Sequence, residues 1–329
     1  MFAPLHRRGK AVARRHFHHG TFHIETIQLA RVNTVGSGSM LPRRALGRQL
    51  RKMRLRAEMT QAGAARAAET SPQTYGRLED GLKTKVTDLA MNALCNAFSS
   101  TDEERRTVLD LAREIRSSMG SDGGWWQAYA EAVPRTFNHF IGLEESAIHV
   151  FSWQVALIPG LLQTREYRRA LLWAEYPEMP TREVELTLDL VVRRQEVLNK
   201  QSFHFEAVIA EHALHTMVGS PAVVADQMSH LLAAAERENV TLRIVGRQSR
   251  DPIGLIAGPF VLFDLPPMPT SRMRQPSVAY AEGYFGRVYI EREAEVAVYT
   301  RAVERLRRVA HSEDEARGLV LGALKEWNR

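Results

Sequence analysis

Two domains of different class are predicted: a small all-α domain of five helices over residues 41–118, then an α+β domain of mixed helix and sheet over 125–329. Three observations predict them. Up to Met119, apolar residues recur at the helical period, with cap and stop residues between the stripes. A Gly/Ser run from Ser117 to Gly124 then interrupts the chain. Beyond it, helical stripes are mixed with short runs rich in β-branched and aromatic residues, the signature of strands. A chain of 329 residues is long enough to bury two such cores.

The five helices can be justified in order. The first runs from about Ala45 to Arg56, with Leu46, Leu50 and Met53 on one face. Thr60 and Gln61 open a short Ala-rich second helix, which breaks at Glu69-Thr70. Ser71 is placed to accept hydrogen bonds from the free N–H groups of a third helix, and Pro72 loses nothing at its first position. Gly81 can take the left-handed conformation that closes that helix. A fourth helix carries Met91, Leu94, Cys95 and Phe98 as its stripe. Thr101 and Glu104 form a capping box for the fifth, which buries Val108, Ala112, Ile115 and Met119.

Two short helices at the spacing of the second and third form a helix-turn-helix, the unit that lays its second helix in the DNA major groove. The residues Thr60-Gln61, Ser71, Leu78, Glu79 and Gly81 resemble the Cro/phage-repressor type of this domain, the xenobiotic-response-element family of bacterial regulators, over residues 46–98. That resemblance implies that Gln61 touches a phosphate and that Pro72, Gln73, Thr74 and Arg77 face the groove beside the capping Ser71. It also implies that Tyr75 and Leu78 point into the core, and that Arg54 and Glu79 pair as a structural salt bridge. There are departures. Glu69 stands in the turn where the family has Gly, Tyr75 replaces an aliphatic, and Gly63 and Gly76 sit inside helices at roughly 1 kcal/mol each against Ala. Gly76 is read as allowing close approach to the DNA backbone, or as merely tolerated.

Charge falls where a polyanion would be held. Residues 41–90 carry eleven Lys or Arg against five Asp or Glu, whereas residues 121–329 carry 23 against 27. Lys83 and Lys85, just past the third helix, are the expected additional phosphate contacts. Residues 1–40 hold five of the twelve His and six basic residues without apolar periodicity, and are read as a disordered basic arm. One reading makes Met40 the natural start, the preceding residues coming from an over-extended frame. No run of eighteen apolar residues is present, so no membrane span is expected. The lone Cys95 fits a packed thiol in a reducing cytoplasm.

In the second domain, Trp125 to Val133 reads as helix, and Ile148 to Val155 as a strand or a buried helix. Thr164 caps a helix carrying Tyr167, Leu171 and Leu172, and a longer helix follows Thr181. Phe203, Phe205, Ala207 and Ile209 alternate as a strand, and Ser220-Pro221 begin another helix. Further strands are expected over 240–245, 258–264, 278–282 and 288–291. Two closing helices bury Val296, Tyr299, Val303 and Leu306, then Leu319, Ala323 and Trp327; Ser312 and Glu315 form a capping box for the last.

Trp125-Trp126, the string I-P-G-L-L-Q-T-R-E-Y from Ile158, Arg193-Arg194-Gln195, Glu211 and the pair Tyr280…Glu282 resemble an uncharacterised domain. It sits behind this helix-turn-helix in many regulators of filamentous actinobacteria, some described as antitoxin-like. The resemblance implies a small partner protein from a neighbouring gene. No catalytic residue, cofactor or metal is expected. Glu211-His212 with His215 has the wrong order for a metalloprotease helix. Glu291, Glu293 and Glu295 are read as solvating charge at a helix N-terminus. The I-P-G-L-L stretch with Trp153, Tyr167 and Trp173 is read as aromatic core in preference to a small-molecule pocket. The expected function is a cytoplasmic, homodimeric regulator binding a double-stranded operator, its second domain receiving a signal from a small protein or ligand. The alternative is an enzyme or ligand-sensing domain tethered to DNA.

Overall fold

The computed structural model describes residues 37–82, 84–117, 125–129, 137–283 and 286–329, all within one unit by backbone contact. Helices α1 (Ser37–Arg56), α2 (Gln61–Ala67), α3 (Pro72–Glu79), α4 (Asp88–Ala97) and α5 (Asp102–Ser117) form the N-terminal all-α domain. The local chemistry is as the sequence predicts. Ser71 Oγ accepts from Thr74 N at 3.1 Å, Gly81 has φ +69°, and Thr101 and Glu104 exchange hydrogen bonds at 3.1 and 3.2 Å. Leu46, Leu50, Met53, Tyr75, Met91, Leu94, Cys95, Phe98 and Ile115 form one buried cluster. One boundary differs: α1 begins at Ser37, earlier than the apolar stripe indicates, and carries Pro42 inside it. Pro42 leaves one backbone carbonyl near the helix start without its usual partner. Met119 and the Gly/Ser run over 118–124 lie outside the described residues, as do residues 1–36.

The second domain is a six-stranded mixed sheet covered by helices on both faces, in the order β3-β2-β1-β4-β5-β6. Its strands are β1 (His149–Gln154), β2 (His204–Ala210), β3 (Val240–Val245), β4 (Phe260–Asp264), β5 (Val278–Gly283) and β6 (Gly286–Ile290). The first three pair in parallel, and β4, β5 and β6 add antiparallel on the other side of β1. Strand alternation sends Val150, Phe205, Ala207 and Ile209 to a large core shared with α7 (Arg165–Glu175), α9 (Pro221–Ala234) and α12 (Glu313–Trp327). Phe151, Trp153, Val208 and Phe260 go to the opposite core, under α11 (Glu293–Val309) and the short α10 (Ile253–Ala257). Helix α8 (Thr181–Gln195) follows α7, and the Ser312–Glu315 capping box is present on α12.

Three elements depart from expectation. The ambiguous stretch before Val155 is a strand. The expected helix from Trp125 is a 3-10 segment over Trp125–Tyr129, and residues 130–136 lie outside the described ones. Helix α6 (Phe137–Ser146) has no sequence forecast, because six consecutive residues from His139 to Glu144 are buried and no amphipathic stripe marks it.

Candidate nucleic-acid interface

Helix α3 is held by α1 through two features. Gly47 lets the chains approach so closely that a Cβ there would lie 2.4 Å from the Glu79 carbonyl oxygen. Beside it, Arg54 and Glu79 form a buried bidentate pair: Nε donates to Oε1 at 2.6 Å and Nη2 to Oε2 at 3.0 Å. Burial alone would push the Glu79 carboxyl up, but hydrogen bonds from Arg54 and Gln61 hold it below its ordinary range. Removing one partner of such a pair costs about 3–5 kcal/mol, since a buried charge is left uncompensated.

With Tyr75, Leu78 and Glu79 turned inward, α3 leaves Pro72, Gln73, Thr74 and Arg77 exposed on one outer face, with Ser71 at its start. Lys85 is exposed six residues past the helix, and Lys83 lies outside the described residues. Gln61 is placed differently from a free phosphate ligand: its Nε2 donates to Glu79 Oε2 at 2.9 Å, so its amide braces the ion pair. Gly76 is not forced by the protein's own packing, because a Cβ there would meet only the Gln61 amide, at 3.7 Å.

Glu211, His215 and Glu291 are each held by a charged partner. Glu211 accepts from Arg247 N at 2.9 Å and from its guanidinium at 3.0 Å, while His215 lies 3.1 Å from Glu326. Glu291 is a correction. It pairs across the domains with Arg44 and lies 3.9 Å from Arg48, both on α1. Its partners are more than 240 positions away in sequence, which no local pattern could show. A second cross-domain contact was equally hidden. Glu114 Oε1 on α5 accepts from Thr270 N at 2.6 Å and Ser271 N at 3.0 Å, and Met268 is buried in the helical core. The I-P-G-L-L reading also needs correction. Trp153 and Tyr167 are core and Trp173 is exposed, whereas residues 157–161 border a cavity.

A family model described as a helix-turn-helix domain matches residues 45–108. A second, described as Domain of unknown function (DUF5753), matches residues 137–321, more than half of the chain. The chain belongs to the DUF5753 family. No curated protein and no solved structure matches it. The DUF5753 match contains the whole sheet and the cavity, and ends within α12. It is therefore a helix-turn-helix protein with a DUF5753 domain behind, and among the described residues no helix is long and apolar enough to cross a membrane.

Proposed function

We propose that the chain is a sequence-specific transcriptional regulator of the Cro/phage-repressor type, working in the cytoplasm. It acts as a homodimer, with two α3 helices entering successive major grooves about 34 Å apart on a palindromic operator. The observation that carries this reading is the outer face of α3. Gln73, Thr74 and Arg77 stand exposed together there, on a helix anchored from behind by the buried Arg54–Glu79 pair. In this reading Gln73 and Arg77 meet base edges, while Ser71, Lys85 and Lys83 hold phosphates. Gln61 contributes by bracing Glu79, and reaches a phosphate only if its amide turns away from that carboxylate.

The DUF5753 domain receives a signal, from a small partner protein or a ligand, and acts by binding rather than by catalysis. Supporting this, two of the three carboxylates on the cavity wall are closed in pairs with guanidinium groups, Glu144 with Arg194 and Glu282 with Arg287, so neither of these two is poised as a base.

The test is binding of the purified chain to its own upstream DNA and to random DNA across a salt series, with and without the neighbouring small protein. Preference for the upstream site that survives added salt, and that the small protein changes, is the expected result. Salt-steep binding without sequence preference would reduce the domain to a generic basic surface.

A further inference from the structure

The DUF5753 domain holds a cavity of about 800 Å³, within the range of roughly 300–1,000 Å³ typical of small-molecule sites. Strands β1, β2, β4, β5 and the start of β6 form its floor, and α6, α7, α8 and the loop from Leu157 to Gln163 form its walls. Phe140, Phe205 and Val261 make much of the surface apolar.

Three arginines and three carboxylates, Glu144, Glu175 and Glu282, line it, and one arginine is unlike the others. Arg194 donates to Glu144 through Nε and Nη2 at 2.9 and 2.8 Å, and Arg287 donates to Glu282 at 2.7 Å. Arg168 Nε is buried with no hydrogen-bond partner, and no carboxylate lies within ion-pair distance of its guanidinium among the described residues. Burial and then Arg194 push this guanidinium below its ordinary range, and Glu175 and Glu282, beyond ion-pair distance, offset only part of that. One further buried polar atom on the lining has no hydrogen-bond partner, Gln163 Oε1; the Tyr280 hydroxyl, without a bond of normal geometry, sits against Glu282. The Gln163 amide is fixed, because its Nε2 donates to the Ile158 carbonyl at 2.7 Å, so its Oε1 is an acceptor that a carboxylate does not satisfy. Buried polar groups are normally satisfied, and a buried cation normally has a counter-charge.

We propose that this cavity binds a small amphipathic monoanion, a carboxylate on a compact apolar body, with Arg168 as its counter-charge. A single negative charge matches the one lining arginine that has no carboxylate at ion-pair distance among the described residues. A dianion would be repelled more strongly by Glu144, Glu175 and Glu282 on the same lining. Phe140, Phe205 and Val261 cover the apolar body. The site also abuts the elements that hold the helix-turn-helix. Helix α6 lines the cavity through Phe140 and packs on α1, while β6 lines it through Arg287 and leads to Glu291, the partner of Arg44. As an effector site it rests on the regulator reading; as a binding site it does not.

The experiment uses the purified full chain without DNA, so that failure here and failure of the DNA assignment are distinguishable. Calorimetry and thermal denaturation compare benzoate, phenylacetate and octanoate with benzamide, octanamide and inorganic phosphate. At least one carboxylate should bind saturably and raise Tm, while the matching amide and phosphate do not. Arg168→Met should weaken that binding by at least about tenfold. It should also raise the Tm of the unliganded chain, because a neutral side chain of similar length replaces an unpartnered charge. Arg168→Lys should retain part of the binding. No saturable carboxylate binding, equal binding of the amide, or undiminished binding by Arg168→Met overturns the proposal. So does a lower unliganded Tm in Arg168→Met, which would mark the arginine as structural.

Discussion

Gly47 and Glu69 show how much a single backbone position can carry in the helical domain. A Cβ at Gly47 would meet two carbonyl oxygens of α3, Glu79 at 2.4 Å and Leu78 at 2.7 Å, and neither is the end of a flexible side chain. Gly47→Ala should therefore push α1 and α3 apart and cost about 1–3 kcal/mol, measured by urea denaturation. Glu69 has φ +50°, a left-handed conformation that costs a residue with a Cβ roughly 1–2 kcal/mol. Glu69→Gly should raise Tm, the relief of strain exceeding the extra chain entropy by about 0.5–1 kcal/mol. An unchanged or lower Tm would show that the Glu69 side chain makes a compensating contact. The Glu69 departure is visible in sequence, because a turn between two capped helices calls for a positive φ. The demand on Gly47 is not, because it comes from a helix more than thirty residues away.

Among the elements, α3 and the centre of the sheet give the sharpest expectations. Arg77→Ala should cost about 1–3 kcal/mol on the specific site and relax preference there, while Lys85→Ala should weaken specific and random DNA alike. Competition binding with both DNAs separates the two, and equal losses for Arg77→Ala would remove it from base reading. At the start of β1, His149 Nδ1 lies 2.9 Å from Asp264, and its Nε2 lies 3.5 Å from Glu206, which also pairs with Arg307 of α11. Burial alone would lower the imidazole pKa, but the hydrogen bonds to Asp264 and Glu206 outweigh it and raise the value from 6.5 to about 9. Its stabilising contribution is thus complete below 6.5 and is lost as pH rises through about 9. Glu206 behaves oppositely. Burial would raise its pKa, yet His149 and Arg307 lower it from 4.5 to about 2, so its contribution persists down to 4.5 and is lost as pH falls through about 2. Denaturation of His149→Gln should show a smaller loss of stability between pH 6.5 and 9 than the unaltered chain shows. Parallel slopes would place the titration elsewhere. Caps and stripes made most of these elements legible, since Ser71, Thr101, Thr164, Ser220 and Ser312 act within one turn of their own helices. Helix α6 was illegible for the opposite reason: it is buried on all sides, and periodicity needs a wet face.

The two domains are joined by more than the chain between them. Arg44 and Arg48 of α1 meet Glu291 after β6, and Glu114 of α5 accepts two backbone N–H groups from the loop at Thr270. Arg48 is half-buried, which pushes its guanidinium down, and Glu291 offsets this only in part. Glu291→Gln should loosen α1 from the sheet by about 1 kcal/mol, seen as roughly fivefold faster hydrogen exchange in α1 with the central strands unchanged. Unaltered exchange in α1 would mean that the Glu114 contact suffices to hold the domains. The helix-turn-helix, the order of helices and strands and the mixed class of the second domain could all be read along the chain. Each depends on spacing and capping within about twenty residues, where backbone period controls which side chains share a face. The close fit at Gly47, the cross-domain grip of Glu291 and the cavity around Arg168 could not be read that way. They depend on groups that become neighbours only after the sheet orders its strands, such as Glu144 with Arg194, Tyr280 with Phe140, and α1 with the end of β6.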